Sequence, residues 1–315
     1  MNIGIDIMGG DYAPDHTLAG VYEAAKEFGH DCKFILFGDQ EQILKSAENQ
    51  QLDLSGFEIV HCPTTIEMND HPAKAFQEKK DSSIVTGFKY LATSQIDGFA
   101  SAGNTGAMLV GSMTLIKAIP GIERPAITSP LPRPGGRDGL LLDVGIYPDA
   151  KPENLYQYGV LGSVYAKTVN HLSDPTVGLL NIGSEPGKGS LLAKSAFNLM
   201  EKATQFNFAG NLEGSDLFRD ESPDVVICDG FTGNIVLKQA EFFYRIYKKR
   251  NLQDDFFERF NFESYGGAPV LGINKPVIIG HGVSKTAAIK NMLLHTKEVI
   301  KADYSQRIKE FLSHE

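Results

Sequence analysis

Four glycine-rich segments hold residues whose types and spacing suit the binding of a small anion. Each follows an apolar run and leads into a helical pattern: MGGDYAP (8–14), SAGNTGA (101–107), NIGSEPGKGS (181–190) and CDGFTGNIVLK (228–238). Glycine lets a ligand approach the backbone, and the start of the next helix presents unpaired N–H groups and the positive end of the helix dipole. The segments predict an anion site made by backbone groups, and none of them carries the P-loop signature.

Three of these segments and one lysine supply the residues that we predict to bind phosphate or substrate. The predicted residues are Gly10, Asp11, Gly103, Asn104, Thr105, Gly106, Lys151, Asp229, Gly230, Thr232, Gly233 and Asn234. Backbone N–H groups in the G-N-T-G and T-G-N patterns would be the donors, whereas Asp11 and Asp229 could orient a hydroxyl or cap a helix. A tight turn without a ligand is the alternative for any one segment, but four in one chain favour a shared anion site.

Lys188 and His281 are the predicted catalytic residues. Lys188 lies between Gly187 and Gly189 and can reach a phosphate as a mobile positive charge, with a solvated loop lysine as the equal alternative. Arg124 could supply the same charge or form a salt bridge at the rim. His281 follows a predicted strand, and its near-neutral ordinary pKa suits proton transfer. A hydrogen-bonded structural histidine is the alternative.

Signatures of several other chemistries are missing from the sequence. It contains no G-x-S-x-G elbow, no H-E-x-x-H pattern and no clustered carboxylates. No G-x-G-x-x-G is followed by the acidic residue of a nicotinamide site. Cys32, Cys62 and Cys228 are far apart, which indicates buried free thiols and not a disulfide framework. We therefore expect no metal and no cofactor.

The alternation of apolar runs and helical patterns predicts how the chain positions these residues. Runs that are apolar on both faces, such as IGIDI and KFILF, are typical of parallel strands covered on both sides. The alternation favours an α/β class, with three α/β/α layers and a doubly wound, mostly parallel sheet. The predicted strands are 2–8, 33–37, 57–61, 98–101, 126–131, 139–143, 177–181, 206–209, 225–228 and 277–279. The predicted helices are 16–28, 40–50, 84–93, 105–118, 152–169, 190–202, 233–249 and 285–300.

The length of the chain predicts one enzyme domain over 1–315 that contains two closely packed lobes. Within it, the loop LPRPGGRDG (131–139) predicts a hinge or a protruding hairpin. The segment 239–265 is crowded with aromatic and charged residues, and we interpret it as a helical excursion for a dimer, partner or membrane contact.

Charge and hydropathy restrict the partners of the chain. Its net charge of -9 and pI of about 5.4 argue against nucleic acid, because phosphate backbones need a basic surface. The N-terminal MNIGIDIMGG lacks the basic region of a signal peptide, and no apolar run approaches the roughly 20 residues that span a bilayer. We expect a cytoplasmic protein, and peripheral contact with the inner face of the membrane stays open.

Eight blocks that follow one another along the chain resemble one family. They are IDIMGGDYAP, PAKAFQEKKDSS, SAGNTGAM with GIERPA, LLDVG with DAKPENL, VGLLNIGSEPGKG, DVVICDGFTGNIVLK, YGGAPVLGIN and GHGVSKTAAIKN. Together they resemble the bacterial phosphate acyltransferase family, PlsX. The resemblance implies transfer of a fatty acyl group from acyl-carrier protein to inorganic phosphate, and the acyl phosphate would feed a membrane glycerol-3-phosphate acyltransferase of phospholipid biosynthesis. It also implies a homodimer with a fold similar to isocitrate/isopropylmalate dehydrogenases and phosphotransacetylases.

The sequence departs from the family pattern in two places. Where the family reads D-V-G-A-N-V-D, this chain reads DVGIYPD, with Ile146, Tyr147 and Pro148 in the middle. The change affects phosphate affinity or specificity if the replaced Asn contacts phosphate. The segment before YGGAP is also shorter than in the family. Its EFFYRIYKKR part has three interpretations: a face for anionic lipid, a dock for the acidic carrier protein, or a dimer or core helix with buried aromatic residues.

Three other functions fit parts of the sequence. One is an acyltransferase or phosphotransferase that uses coenzyme A in place of the carrier protein. The second is a dehydrogenase of the same fold superfamily, and the third is a catalytically silent scaffold that only binds the carrier protein or membrane enzymes. Phosphate-dependent formation of acyl phosphate from an acylated carrier protein separates these hypotheses.

Overall fold

The computed structural model describes residues 1–313, except for the side chain at position 30. These residues form two compact units. Unit 1 contains Met1–Ile119 and Phe262–Ser305, whereas unit 2 contains Pro120–Asn261 and the chain from Gln306 onward. Unit 1 is therefore assembled from an early and a late part of the sequence.

Strands and helices alternate along the described residues. The strands are β1 (Asn2–Asp6), β2 (Lys33–Gly38), β3 (Glu58–His61), β4 (Gly98–Ser101), β5 (Ala126–Leu131), β6 (Gly139–Leu142), β7 (Thr176–Leu180), β8 (Asn207–Leu212), β9 (Val225–Ile227), β10 (Gly267–Leu271) and β11 (Val277–Gly280). The helices are α1 (Asp15–Phe28), α2 (Gln40–Gln50), α3 (Pro72–Glu78), α4 (Ser83–Ala92), α5 (Thr105–Gly111), α6 (Pro152–Thr168), α7 (Leu191–Met200), α8 (Gly230–Lys249), α9 (Asp255–Glu258), α10 (Phe262–Tyr265), α11 (Thr286–Lys301) and α12 (Tyr304–Ser313). Each predicted strand is confirmed, whereas β10 has no counterpart among the predictions.

The sheet of unit 1 has the strand order β3-β2-β1-β4-β11-β10. All neighbours are parallel except β10, which runs antiparallel to β11. The consecutive residues Leu36 and Phe37 point to opposite faces of the sheet and are both fully buried, as the pattern of apolar runs predicts for a covered parallel strand. Because β1, β4 and β11 are parallel neighbours, the turns that follow them lie at the same edge of the sheet.

Two helices that leave this edge pack closely against each other. A Cβ on Gly20 of α1 would lie 2.5 Å from the Cβ of Ile289 on α11, so only glycine permits the approach. The His16 ring nitrogen Nδ1 and the Thr286 hydroxyl are 3.0 Å apart at the start of the same two helices. This packing fixes the turns after β1 and β11.

The sheet of unit 2 has the strand order β5-β6-β9-β7-β8. β5 and β6 form an antiparallel hairpin, which confirms the hairpin interpretation of 131–139, and the other neighbours are parallel. Helix α6 packs on this sheet, and its side chains Tyr158 and Leu161 are fully buried. Both units thus have the mostly parallel α/β architecture that the sequence predicts.

The segment 239–265 is helical, and it contains the end of α8 followed by α9 and α10. The side chains of Phe242, Phe243 and Ile246 are 48%, 61% and 37% exposed. Burial in the core of the same chain is therefore the wrong interpretation of these three residues, whereas Tyr247, predicted to share their helical face, is 5% exposed and is buried. The dimer, carrier-protein and lipid interpretations stay predictions. Among the helices of residues 1–313, none combines the length and the apolar character needed to cross a bilayer.

Glu258 and Arg259 attach α9 to two other elements of unit 2. The Glu258 carboxylate accepts hydrogen bonds from the Tyr244 hydroxyl at 3.0 Å and the Lys248 ammonium at 2.8 Å, both on α8. Arg259 forms an ion pair of 2.5 Å with Asp138 in the β5–β6 hairpin. The excursion is thus held by these polar contacts and by ring contacts of Tyr247 with Phe257 and of Phe256 with Phe260, while Phe242, Phe243 and Ile246 face outward.

Candidate active site

The turns after β1 and β11 meet at the edge of unit 1. The Asp11 N–H donates to the Gly282 carbonyl at 2.8 Å. Gly10 has a φ of 105°, and a Cβ there would lie 3.2 Å from the same carbonyl oxygen. A left-handed backbone at such close range requires glycine. The structure therefore brings the predicted residues Gly10 and Asp11 next to the turn that carries His281.

A buried carboxylate joins the turns after β1 and β4. Asp6 is 1% exposed, and its Oδ2 accepts a hydrogen bond from the Ser101 hydroxyl at 2.7 Å. The Met8 N–H donates to Oδ1 at 3.0 Å, and the Gly103 N–H donates to the Ser101 oxygen at 2.9 Å. Burial raises the pKa of Asp6 above its ordinary value, and the hydrogen bonds to the carboxylate oppose that rise. Asp6 and Ser101 thus fix the position of the turn that contains Gly103, through the hydrogen bonds that join the three residues.

The Asn104 side chain is occupied by protein groups. It caps α5, with Oδ1 accepting the Ala107 N–H at 3.0 Å, and its Nδ2 donates to the carbonyls of Glu67 and Asp70 at 3.0 and 3.1 Å. The backbone N–H groups of Thr105 and Gly106 find no acceptor in the part of the chain that the structure describes. These two N–H groups are donors that remain for an anion, whereas the Asn104 side chain is structural.

His281 is half-buried at the carboxyl end of β11. Its Nδ1 lies 3.4 Å from the Val283 N–H, and its ring lies 5.0 Å from the ring of Phe262, centroid to centroid. The contact with Phe262 orients the ring.

In unit 2, Asp143 organises the loop that follows β6. It is fully buried, and its carboxylate accepts the N–H groups of Ile127, Ile146 and Tyr147 at 3.1, 3.0 and 2.8 Å. Burial raises the pKa of Asp143, and these backbone donors oppose the rise. The segment in which the sequence departs from the family pattern is thus folded around one carboxylate.

The start of α8 uses most of its N–H groups within the protein. Asp229 is the N-cap, and its carboxylate accepts the Thr232 N–H at 2.9 Å and the Thr232 hydroxyl at 2.8 Å. The Gly230 N–H donates to the Tyr147 carbonyl at 2.9 Å, and the Gly233 N–H donates to the Asp229 carbonyl at 3.0 Å. The predicted donors Gly230, Thr232 and Gly233 therefore hold the helix start in place.

Glycine at 230 and 233 is explained by the loop beneath the helix. A Cβ on Gly230 would lie 2.7 Å from Asp143 Oδ2, and one on Gly233 would overlap the Asp143 carbonyl oxygen. Asn234 lies one position further on, with an exposed side chain beside Gly145. Among the predicted residues of this turn, Asn234 is the one whose side chain is open to a substrate.

Arg124 lies over the ring of Tyr147. Its guanidinium carbon is 4.7 Å from the ring centroid, and its Nη1 donates to the Asp149 carbonyl at 2.7 Å. Lys151 follows in the same loop as the N-cap of α6, with an exposed side chain and an N–H that donates to Asn154 Oδ1 at 2.9 Å. Arg124, from the segment before β5, therefore contacts the loop after β6 that also carries Lys151.

Lys188 is exposed in the turn after β7. Its N–H donates to the Glu185 carbonyl at 3.1 Å, and its own carbonyl accepts from Asn181 Nδ2 at 3.2 Å. β7 and β9 are neighbours, so this turn and the Asp229 turn share one edge of the sheet. Within residues 1–313, however, no hydrogen bond or ion pair links Lys188 to the Asp229 turn.

Sequence reasoning did not select the buried acids Asp6 and Asp143 as site residues. Each is a single charged residue at the end of an apolar run, IGID and LLLD. Because a buried carboxylate is costly unless it is hydrogen-bonded, such a residue is a signal for an organised turn. The described residues contain no group of three or more His, Cys, Asp or Glu side chains that could hold a metal ion.

The fold is that of the phosphotransacetylases. A branched-chain phosphotransacylase from Enterococcus faecalis V583 has a TM-score of 0.67 at 16% identity, covering 95% of this chain and 99% of that chain. A phosphotransacetylase from Streptococcus pyogenes has a TM-score of 0.66 at 16% identity, covering 96% of this chain and 94% of that chain. At these identities the likeness defines the class of fold.

The sequence relatives define the family. The model of the family described as "Fatty acid synthesis protein" matches residues 1–307. The phosphate acyltransferase of Caldicellulosiruptor saccharolyticus is 41% identical over 334 residues, covering 100% of this chain and 99% of that protein. The phosphate acyltransferase of Dictyoglomus thermophilum is 40% identical over 332 residues, covering 99% and 98%. The chain belongs to the phosphate acyltransferase family and is an acyltransferase, which confirms the resemblance seen in the sequence.

Proposed function

We propose that the protein transfers a fatty acyl group from acyl-carrier protein to inorganic phosphate, giving acyl phosphate for phospholipid biosynthesis. The observation that carries the proposal is the match over nearly the whole chain with relatives named phosphate acyltransferase, at about 40% identity. The open N–H donors of Thr105 and Gly106 and the cations of unit 2 support an anionic substrate.

In the proposed reaction, an oxygen of hydrogenphosphate attacks the thioester carbonyl carbon of the acyl donor. The C–O bond forms, the C–S bond breaks, and the proton given up by phosphate passes to the departing thiolate, with His281 assisting. Positioning supplies about 7–11 kcal/mol in the best cases. Donors at the oxyanion add about 3–4 kcal/mol.

Direct attack by phosphate agrees with the state of the buried cysteines. Burial raises the pKa of the Cys62 thiol, and burial also raises that of Cys228, with Asp229 and Asp143 adding to the effect. Neither thiol is therefore suited to form an acyl-enzyme, because the thiolate is the nucleophile. We propose that Lys188, with Lys151 or Arg124, compensates the charge of phosphate.

The partners follow from the same proposal. Acyl-carrier protein is the acyl donor, a second copy completes a homodimer, and peripheral contact with the membrane brings the product to a membrane glycerol-3-phosphate acyltransferase. The outward side chains of Phe242, Phe243 and Ile246, beside the exposed bases Arg245 and Lys249, are a surface that suits such partners.

The decisive experiment mixes the purified protein with palmitoyl-carrier protein, with and without phosphate, and traps acyl phosphate with hydroxylamine. We expect palmitoyl hydroxamate only when phosphate is present. Acylated protein formed without phosphate would contradict direct attack. The fold shared with phosphotransacetylases favours acyl-coenzyme A as the second candidate donor, so the same assay with acetyl- and palmitoyl-coenzyme A decides between the donors.

A further inference from the structure

Tyr147 is fixed at three points in unit 2. Its N–H donates to Asp143 Oδ2 at 2.8 Å, and its carbonyl accepts the Gly230 N–H at 2.9 Å. Its ring lies under the guanidinium of Arg124, 4.7 Å from the guanidinium carbon to the ring centroid. The residue therefore links the end of β6, the start of α8 and a cation.

Arg124 lies at the edge where the parallel strands of unit 2 end. β5 is antiparallel to β6, so the residues just before β5 lie beyond the carboxyl end of β6. The Arg124 Nη1 donates to the Asp149 carbonyl at 2.7 Å. Across residues 1–313, no carboxylate lies within ion-pair distance of this guanidinium, which is half-buried. Its remaining N–H groups form a planar fork of the kind that binds phosphate oxygens in pairs.

A second observation points to a ligand or ordered water at this place. Tyr158 is fully buried, and its hydroxyl has no hydrogen-bond partner among the described residues. Burial raises the pKa of Tyr158, and the charges of Asp143, Tyr147 and Arg124 are close enough to contribute. A buried hydroxyl without a partner costs free energy, so a ligand oxygen or an ordered water beside it would be stabilised.

We propose that Tyr147 is a positioning residue that holds the Arg124 guanidinium at the carboxyl end of β6 to receive the phosphate co-substrate. The inference rests on the proposed function and names the residue through which this chain binds phosphate. The family pattern has Asn at this position, whose amide can donate to an anion directly. A tyrosine carries its donor at the hydroxyl, at the far end of the ring, and its ring face anchors a guanidinium. In this chain, DVGIYPD therefore replaces an Asn that could donate to phosphate with a tyrosine that supports the guanidinium of Arg124, which is the donor to phosphate.

The test compares Tyr147→Phe, Tyr147→Leu and Arg124→Met in the acyl phosphate assay, with KM measured separately for phosphate and for the acyl donor. We expect Tyr147→Phe to behave as the wild type, because the ring is kept. Tyr147→Leu raises the KM for phosphate about tenfold, and Arg124→Met raises it roughly ten- to hundredfold. The KM for the acyl donor stays within about twofold of the wild type in each variant.

The double variant Tyr147→Leu/Arg124→Met shows whether Tyr147 acts on phosphate through Arg124 or independently of it. We expect it to match Arg124→Met alone, because Tyr147 acts through Arg124. The inference would be overturned if the increases in the KM for phosphate multiply in the double variant. It would also be overturned if the KM for the acyl donor rises as much as the KM for phosphate. The control is Tyr22→Leu, which removes a cation–π pair of the same 4.7 Å length with Lys26 in α1 and leaves both KM values unchanged.

A binding readout keeps this inference distinct from the proposed function. Phosphate raises the Tm of a protein that binds it, without any turnover. We expect phosphate to raise the Tm of the wild type and of Tyr147→Phe, and to have no effect on Arg124→Met. If the wild type makes no acyl phosphate but shows this pattern, the proposed function fails and the inference stands. If phosphate leaves the Tm of the wild type unchanged, the inference fails.

Discussion

The hydroxyl of Ser101, at the end of β4, donates a 2.7 Å hydrogen bond to the buried carboxylate of Asp6, at the end of β1. The Ser101 oxygen also accepts the Gly103 N–H at 2.9 Å. One serine therefore connects two neighbouring strand ends and sets the position of the glycine turn before α5. The geometry of the open N–H groups of Thr105 and Gly106 depends on it.

Replacing Ser101 by Ala should destabilise the protein by about 1–3 kcal/mol, because it removes a hydrogen-bond donor from a buried carboxylate. The measurement is urea unfolding. The matched control is Ser112→Ala, which removes a buried hydroxyl bonded to the Met108 carbonyl while that carbonyl keeps the Ser112 N–H. A loss in Ser101→Ala no larger than that in the control would contradict the role given to Ser101.

The destabilisation by Ser101→Ala should grow with pH. Burial raises the folded-state pKa of Asp6 above the unfolded value of 3.8, so the stability from its neutral form is full below 3.8 and is lost as pH rises through the folded pKa. Without the Ser101 donor the folded pKa is higher still, and the ionised form costs more. Unfolding of both proteins across the acidic range tests this, and a pH-independent difference would count against it.

Gly233→Ala should destabilise unit 2 by about 2 kcal/mol or more, because the added Cβ overlaps the Asp143 carbonyl. The loop that carries Tyr147 would have to move, so the KM for phosphate should rise as well. The control is Gly214→Ala, where a Cβ meets no atom within 4 Å. Thermal unfolding and the acyl phosphate assay measure both effects. If Gly233→Ala and Gly214→Ala have the same Tm and the same KM for phosphate, the start of α8 can move away from Asp143 without loss, and the prediction is wrong.

Lys188→Met should raise the KM for phosphate about tenfold if Lys188 compensates the phosphate charge, since a charge-assisted hydrogen bond contributes about 1.5–3 kcal/mol. The KM for the acyl donor should not change. Lys202→Met removes another exposed lysine of unit 2 and is the control. An unchanged KM for phosphate in Lys188→Met would assign Lys188 to the solvated surface.

Acid should loosen α9 from α8. The Lys248 ammonium, and then the Tyr244 and Tyr247 hydroxyls, hold the pKa of Glu258 below its ordinary 4.5. The contribution of Glu258 is therefore present above 4.5 and is lost as pH falls through the lowered pKa. Glu258→Gln should give the same loosening at neutral pH, seen as faster hydrogen exchange in residues 255–258. Glu310→Gln, which breaks an exposed pair with Arg307, should leave that exchange unchanged.

The sequence predicts most of the fold because covered parallel strands have a distinct pattern. IGIDI and KFILF are apolar on both faces and form β1 and β2. β10 escapes that pattern: its sequence GAPVL begins with glycine and contains Pro269, which is disfavoured inside a strand. In the structure Pro269 is opposite Ile278 in an antiparallel pair, a context that local sequence does not reveal.

The sequence predicts where the turns of the candidate site lie along the chain. It does not show which backbone N–H groups in those turns lack an acceptor. The glycines at 10, 230 and 233 follow strands, as expected, but the structure explains them by close approach to protein atoms. Which N–H groups remain open depends on the folded geometry: the Ser101 hydroxyl oxygen accepts the Gly103 N–H, and the carbonyl of Tyr147, distant in sequence, accepts the Gly230 N–H. A stacked pair such as Arg124 and Tyr147 is separated by 23 positions and leaves no periodic signal.

Unit 1 is built from Met1–Ile119 and Phe262–Ser305, and β11 lies between β4 and β10 in its sheet. A ribosome releases β11 only after all of 120–261 has emerged. Until then β4 is an apolar edge strand, open to wrong pairing with other nascent chains. The synthesis of unit 1 therefore begins first, but its sheet stays open until the segment 262–305 has emerged, and translation products that stop before β11 should be the forms that need chaperones most.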